Sequence, residues 1–179
     1  VYLCNIIKQS FLQYMNPILD KEPVKRAEKS IKEFDPSLKI VCLEQTARTA
    51  QDAATALGCN VGAIVKSLLF STGDNFVLCL VSGDKRCSIK ALKKLLNEKD
   101  VSMVNPEDVK KITGYTIGGV SPVGHLRKVK IYIDTNLDRF KIVFAAAGHP
   151  NCVFKIEFNQ LANLTSGEMK EITEWYNQN

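Results

Sequence analysis

Apolar residues recur every three or four positions in some stretches of this chain and run nearly unbroken in others, and the changes of period mark its elements. After Pro23, Val24, Ala27, Ile31 and Phe34 fall at helical spacing until Asp35-Pro36 stops the run, which predicts a surface helix. Residues 39–43 read as a short strand. Thr49 can cap a second helix, with Asp52 three residues on, Ala50, Ala53, Ala54 and Leu57 as its apolar side and Gly58 as its left-handed stop. The apolar segments 63–70 and 75–82, joined through Thr72-Gly73-Asp74, predict a hairpin in the middle of a sheet. Ser88 opens a helix carrying Ile89, Leu92, Leu95 and Leu96. Asn105-Pro106-Glu107-Asp108 opens another, with a capping residue, a proline in the first turn and acids behind it, ending at Thr113-Gly114.

The stretch GYTIGGVSPVGH, residues 114–125, has no period and predicts a structured loop. Val129, Ile131 and Ile133 alternate with Lys128, Lys130 and Tyr132 as a half-exposed strand. KIVFAAA (141–147) and CVFKIEF (152–158) predict two more strands, joined by Gly148-His149-Pro150-Asn151, and the spacing of Met169, Ile172 and Trp175 predicts a last helix over 166–176. Six or seven strands mixed with four or five helices, without strict alternation, predict an α+β fold, a largely antiparallel mixed sheet with packed helices. No repeat, low-complexity stretch or linker divides it, so residues 15–179 are expected to form one domain. Residues 1–14 are read as an upstream extension of a start at Met15, outside the fold. They lack a basic leading region and a small-residue cleavage site, and no run reaches the length that spans a bilayer.

With 45% apolar and 24% charged residues the composition is that of an ordinary globular protein, neither disordered nor membrane-embedded. A net charge of +5 raises the prospect of a polyanionic partner. The basic groups cluster over 21–32, 90–94 and 110–130, each of which also fits a solvated helix face. The six cysteines are scattered without a CxxC pair, and Cys42, Cys79 and Cys152 lie in apolar runs, as small hydrophobes in a reducing cytoplasm would. Cysteine and histidine do not cluster at ligand spacing, so no metal and no cofactor are expected.

Lys66 interrupts an otherwise apolar strand, on the face of Ile64, Leu68 and Phe70. Such a lysine reaches a cavity, a partner or an anion, or else it lays its stem along apolar surface and keeps its head in water. Gly118, Gly119 and Gly124, with Ser121, Pro122 and His125, form a loop whose backbone N–H groups can converge on one ligand atom, though the same composition serves a purely structural turn. A second Gly-His pair, Gly148-His149, follows three alanines. No serine or cysteine stands in a nucleophile elbow, and no paired carboxylates announce acid-base hydrolysis.

Three segments in order, TARTAQDAATALGCNVGAIVKSLLF, KITGYTIGGVSPVGH and AAAGHPNCVF, resemble the YbaK/EbsC family, related to the editing domain inserted in bacterial prolyl-tRNA synthetases. The resemblance covers residues 46–164. It implies a free-standing enzyme that hydrolyses, in trans, the ester of a mischarged aminoacyl-tRNA without a metal, a cofactor or a protein nucleophile. Lys66 matches the family's catalytic lysine, with Ser67 beside it in the substrate site. Gly118, Gly119, Ser121, Pro122, Gly124 and His125 would form one wall, Gly148 and His149 another, and Thr46 and Arg48 the mouth. His149 stands where cysteine-removing members often carry arginine, so serine or threonine on tRNA(Pro) or related tRNAs is expected ahead of alanine or cysteine. Prolyl-tRNA synthetase or another synthetase is the candidate partner, with no membrane and no DNA. The competing class is a non-catalytic RNA-binding module or a synthetase adaptor docking through the first helix. The RNA-binding module would turn over no aminoacyl-tRNA, whereas the adaptor role need not exclude catalysis.

Overall fold

The computed structural model describes residues 16–43 and 49–176. The chain runs α1 (Glu22–Phe34), β1 (Ile40–Cys42), α2 (Ala50–Leu57), β2 (Ile64–Thr72), β3 (Asn75–Ser82), β4 (Lys85–Cys87), α3 (Ile89–Leu96), β5 (Val101–Met103), α4 (Pro106–Thr113), β6 (Lys130–Asp134), β7 (Ile142–Ala146), β8 (Cys152–Glu157), α5 (Phe158–Thr165), β9 (Glu168–Lys170) and β10 (Thr173–Trp175). Local chemistry fixes many of these bounds. Thr49 and Asp52 close a reciprocal capping box on α2, and Gly58 ends it in the left-handed conformation at φ +63°. Asn105 caps α4, whose first turn holds Pro106, Glu107 and Asp108. Thr72 pairs with Asn75, leaving a two-residue turn with Gly73 at φ +61°.

The main sheet has the order β1-β8-β7-β2-β3-β6-β9, with β5 added beside β2. Pairs β1–β8, β7–β8, β2–β3 and β2–β5 are antiparallel, while β2–β7, β3–β6 and β6–β9 are parallel. The fold is therefore the expected α+β type with a mixed, largely antiparallel sheet. On one face α1 buries Val24, Ala27 and Ile31 completely, against a core that includes Val65, Leu69, Leu78, Leu80 and Ile133. Burying side chains of the size of Val24 and Ile31 is worth about 1.5–3 kcal/mol each. On the other face Phe70, Val77, Cys79, Val81 and Tyr132 pack with Leu92 of α3 and with Ile172. A small third cluster joins Ala53 and Ala54 of α2 to Ile64 and Val153. No helix among the described residues is long and apolar enough to cross a membrane.

The end of the chain departs from the sequence reading. Instead of a helix over 166–176, Ser166 takes the left-handed conformation at φ +51° and ends α5. Residues 168–170 then pair in parallel with β6, and residues 173–175 pair antiparallel with β4. Of the three residues at helical spacing only Ile172 is buried, Met169 being 38% and Trp175 62% exposed, so no apolar helix face exists to be packed. Open strand edges on β6 and β4 offered backbone partners instead, and tertiary pairing overrode the local period. Helix α5, which the sequence reading leaves unassigned, buries Phe158 and Leu161 at three-residue spacing.

Strand β2 positions the candidate site. Its first residues pair with β7, through Ile64↔Phe144 and Val65↔Ala145, and its last with β5, through Phe70↔Met103, Ser71↔Ser102 and Thr72↔Val101. Between them, on that edge of β2, no strand pairs with Lys66, Ser67 or Leu68, while the opposite edge is paired continuously with β3. The sheet is slit open along this stretch.

Candidate active site

A cavity of about 330 Å³ fills the slit. Its walls include β2 from Ile64 to Leu69, the start of α2 at Thr49, Ala50 and Ala53, Met103 at the end of β5 with Val104 after it, and Ile117, Gly118, Val120 and Pro150 from two loops. Nearly all of these present apolar atoms. Among the polar side chains that line it, Thr49, Lys66 and Ser67, the Oγ of Ser67 is buried and has no hydrogen-bond partner among the described residues. A hydroxyl in that condition is costly unless something in the cavity bonds to it.

Lys66, one residue earlier, points to the opposite face of the sheet. Its Nζ donates to the backbone carbonyl of Lys85 and, at 3.0 Å, to the hydroxyl of Tyr176. It borders the slit cavity and two further clefts. One, about 660 Å³, lies toward Arg86, Ser88 and Lys90, and the other, about 490 Å³, lies toward Gln51, Asp84 and Trp175. Lys66 is thus half buried where three cavities meet, and it forms no salt bridge among the described residues. Behind it Lys85 is only 4% exposed, its ammonium 2.8 Å from the centroid of the Trp175 ring. Burial, then the charge of Arg139, pulls the Lys85 pKa below the ordinary lysine value, against the opposing pull of Asp84 and Asp134.

The glycine loop is rigidly held. Arg26 of α1 donates through Nε to the Gly124 carbonyl and through Nη2 to the Gly114 carbonyl, each at 2.8 Å, while its guanidinium lies 4.7 Å from the centre of the Tyr115 ring. Tyr115 in turn donates to the Val123 carbonyl at 2.9 Å. His125 donates through Nε2 to the Ser121 carbonyl at 2.7 Å, which sets the tautomer, and its ring meets Tyr115 edge-on. Burial, aided by Arg26, holds the His125 pKa below the usual histidine value against the bond to Ser121. Ser121 and Pro122 are buried.

Of the loop residues singled out in the sequence, Gly118 at φ +85° borders the cavity, and Gly119 lies against the backbone of His149, where an added Cβ would come within 2.8 Å. Ser121, Pro122, Gly124 and His125 stand behind this wall rather than in it. Gly148, at φ +85°, packs on the backbone of Pro23. His149 accepts at Nδ1 from the Asn151 N–H at 3.1 Å, and its Nε2 is 3.5 Å from the Lys21 Nζ. Burial first, and the Lys21 charge second, lower its pKa. From that turn it is Pro150 that reaches the cavity. Thr46 and Arg48, like residues 1–14, lie outside the described residues.

Sequence reasoning missed several contributors. Arg26 and Tyr115, which brace the loop, and Lys85, Trp175 and Tyr176, which surround Lys66, carry no motif of their own. Met103 and Ile117, 57% and 55% exposed at the cavity rim, betray themselves only as apolar residues without a core to join. Among the described residues no group of three histidine, cysteine or acidic side chains could hold a metal ion.

Comparison with known proteins identifies the family. Residues 44–164 match the family model of the aminoacyl-tRNA editing domain. YwhH of Bacillus subtilis is 32% identical over 123 residues, 68% of this chain and 78% of that protein. A proline–tRNA ligase of Caldicellulosiruptor bescii is 29% identical over 157 residues, 83% of this chain but only 26% of the ligase. A solved structure described as "a putative trans-editing enzyme for prolyl tRNA synthetase" superimposes with a TM-score of 0.82 at 34% identity, covering 86% of this chain and 98% of the other. A match over residues 44–164, with a relative 32% identical across 78% of its own length, means that the chain belongs to the aminoacyl-tRNA editing domain family.

Proposed function

We propose that this protein is an aminoacyl-tRNA deacylase that acts in trans, with the ester of a mischarged tRNA lying across the slit beside Lys66. The observation that carries this reading is the meeting of three cavities on one lysine that forms no salt bridge among the described residues. The small apolar cavity suits the amino-acid side chain, and the open clefts suit the far larger nucleotide. An aminoacyl ester is already activated, so orientation and modest charge stabilisation suffice. The Lys66 ammonium supplies positive charge where the carbonyl oxygen becomes an oxyanion, and the stretch of β2 from Lys66 to Leu68 that no strand pairs on that edge supplies backbone groups nearby. Neither histidine lines the cavities that meet at Lys66, so neither is assigned as a base for Ser67 or Lys66. Water is therefore the nucleophile, and Ser67 is a binding group.

Serine or threonine is the preferred cargo, and tRNA(Pro) the preferred carrier. Ser67 offers a buried hydroxyl with no partner among the described residues, in a largely apolar pocket. A site built to bond a substrate hydroxyl discriminates strongly against an analogue that lacks it. The likeness to proline–tRNA ligases and to the trans-editing structure supports the choice of tRNA. The test is a deacylation panel of tRNA(Pro) carrying serine, threonine, alanine or cysteine, with wild type and Lys66→Ala side by side. Hydrolysis of serine and threonine ahead of the others, lost in the variant, is the expected result. No turnover on any member, or an undiminished variant, would overturn the reading.

A further inference from the structure

Beyond the residues matched by the family model, the chain turns back across the site. Strand β10 pairs with β4 through Thr173↔Cys87, Glu174↔Arg86 and Trp175↔Lys85, and this carries Trp175 and Tyr176 to the clefts beside Lys66. Both are large and open, Trp175 being 62% and Tyr176 53% exposed. Single exposed aromatics are ordinary, but two in succession bordering one cleft are not. They do not plug the site either, because a plug would bury its rings in the cavity and these stay mostly in solvent.

Their surroundings indicate what they receive. The Lys85 ammonium lies 2.8 Å from the Trp175 ring centroid and the Arg139 guanidinium 5.6 Å from it, while the Tyr176 hydroxyl takes a hydrogen bond from Lys66 at 3.0 Å. Arg86 and Arg139 are paired with Glu174 and Asp84. Lys66 and Lys85 form no salt bridge among the described residues and leave positive charge at the rings. Exposed rings beside lysines that make no salt bridge among the described residues, Lys85 feeling Asp84 and Asp134 only at longer range, fit a ligand that carries a flat base and a phosphate together.

We infer that Trp175 and Tyr176 form the platform on which the terminal adenine of the tRNA acceptor end stacks, setting the ribose ester over Lys66. The inference rests on the deacylase reading of Lys66 and adds the element that holds the base.

Trp175 is the single tryptophan of the chain, so intrinsic fluorescence reports on it alone. The full chain is titrated with an uncharged acceptor microhelix ending in adenine and with one whose last nucleotide is abasic. Binding of the variants is followed by anisotropy of the labelled microhelix. Wild type should show quenching and roughly tenfold tighter binding with adenine. Trp175→Leu and Tyr176→Ala should each erase most of that preference, and Trp175→Phe should keep it. Equal binding of the two microhelices by wild type, or an intact preference in both truncating variants, overturns the platform. Because this readout needs no hydrolysis, the two ideas fail separately. Adenine preference without turnover on any mischarged tRNA sinks the deacylase reading and leaves the platform. Turnover without preference does the reverse.

Discussion

Arg26 holds the carbonyl of Gly124 at 2.8 Å across 98 positions of sequence, and with its other nitrogen it holds Gly114 at the opposite end of the same loop. One guanidinium on α1 thereby spans the base of the loop whose tip, at Gly118, borders the cavity. Its planar fork reaches two carbonyls at once, which an ammonium cannot do.

Arg26→Ala is accordingly expected to destabilise the fold by about 2–3 kcal/mol, the worth of charge-assisted bonds lost from a mostly buried guanidinium, and to lower deacylation beyond the loss of folded protein. Arg26→Lys should recover little of either. Urea denaturation and single-turnover rates on folded protein measure the two effects.

Removing the Lys66 ammonium should leave the protein folded and nearly inactive. Lys66 is half buried and, among the described residues, hydrogen-bonds the Lys85 carbonyl and the Tyr176 hydroxyl, so Lys66→Met is expected to shift the melting temperature little. Deacylation should fall about 100-fold or more, the scale seen when one preorganised oxyanion donor is removed. A drop in activity that merely tracks unfolding would assign this lysine a structural role.

Ser67→Ala separates binding from stability. Deleting a buried hydroxyl that has no partner among the described residues should leave thermal stability unchanged or slightly raised. On serine-charged tRNA the variant should lose roughly tenfold in kcat/KM, while alanine-charged tRNA is handled about as before. Equal losses on both would show that the hydroxyl does not read the substrate.

His125 makes stability depend on pH. Its pKa is lowered in the folded protein, chiefly by burial, so the unfolded chain binds the proton more readily. Stability is therefore complete above the unfolded value near 6.5 and is lost as pH falls from there toward the lower folded value. His149 is shifted in the same direction, chiefly by burial and then by Lys21. Urea midpoints at pH 7.5 and 5.5 should differ less in His125→Asn than in wild type, and less again when His149→Asn is added.

Two glycines should respond differently to alanine. At Gly119 a Cβ would meet the backbone of His149, which cannot swing aside, so Gly119→Ala is expected to cost about 1–3 kcal/mol and to displace the turn beside Gly118. At Gly58 nothing lies within 4 Å, and only the left-handed φ of +63° opposes a side chain. Gly58→Ala should therefore cost roughly 1–2 kcal/mol without touching activity. Denaturation and deacylation assays on both variants test the contrast.

Short-range signals determined much of this protein without help. The capping box at Thr49 and Asp52, the Asn105-Pro106 helix start, the Gly73 turn and the apolar runs of β2, β3, β7 and β8 are legible because each depends on neighbours a few residues away. The placement of Lys66 in an apolar strand likewise follows from alternation alone. What needed the tertiary structure is everything decided by distant partners. The slit exists because β7 and β5 pair with different halves of β2, and it alone turns Ser67 and the β2 backbone into cavity wall. The last segment became strands rather than a helix because β6 and β4 had open edges to fill. Arg26, Tyr115 and Tyr176 acquire their roles across 88 to 110 residues of chain, as at Gly114 and Lys66, or, for Tyr115, from the packing of α1 against its ring. Local sequence encodes dihedral preference and period; it carries no record of which edges and faces will meet once the chain has closed on its core.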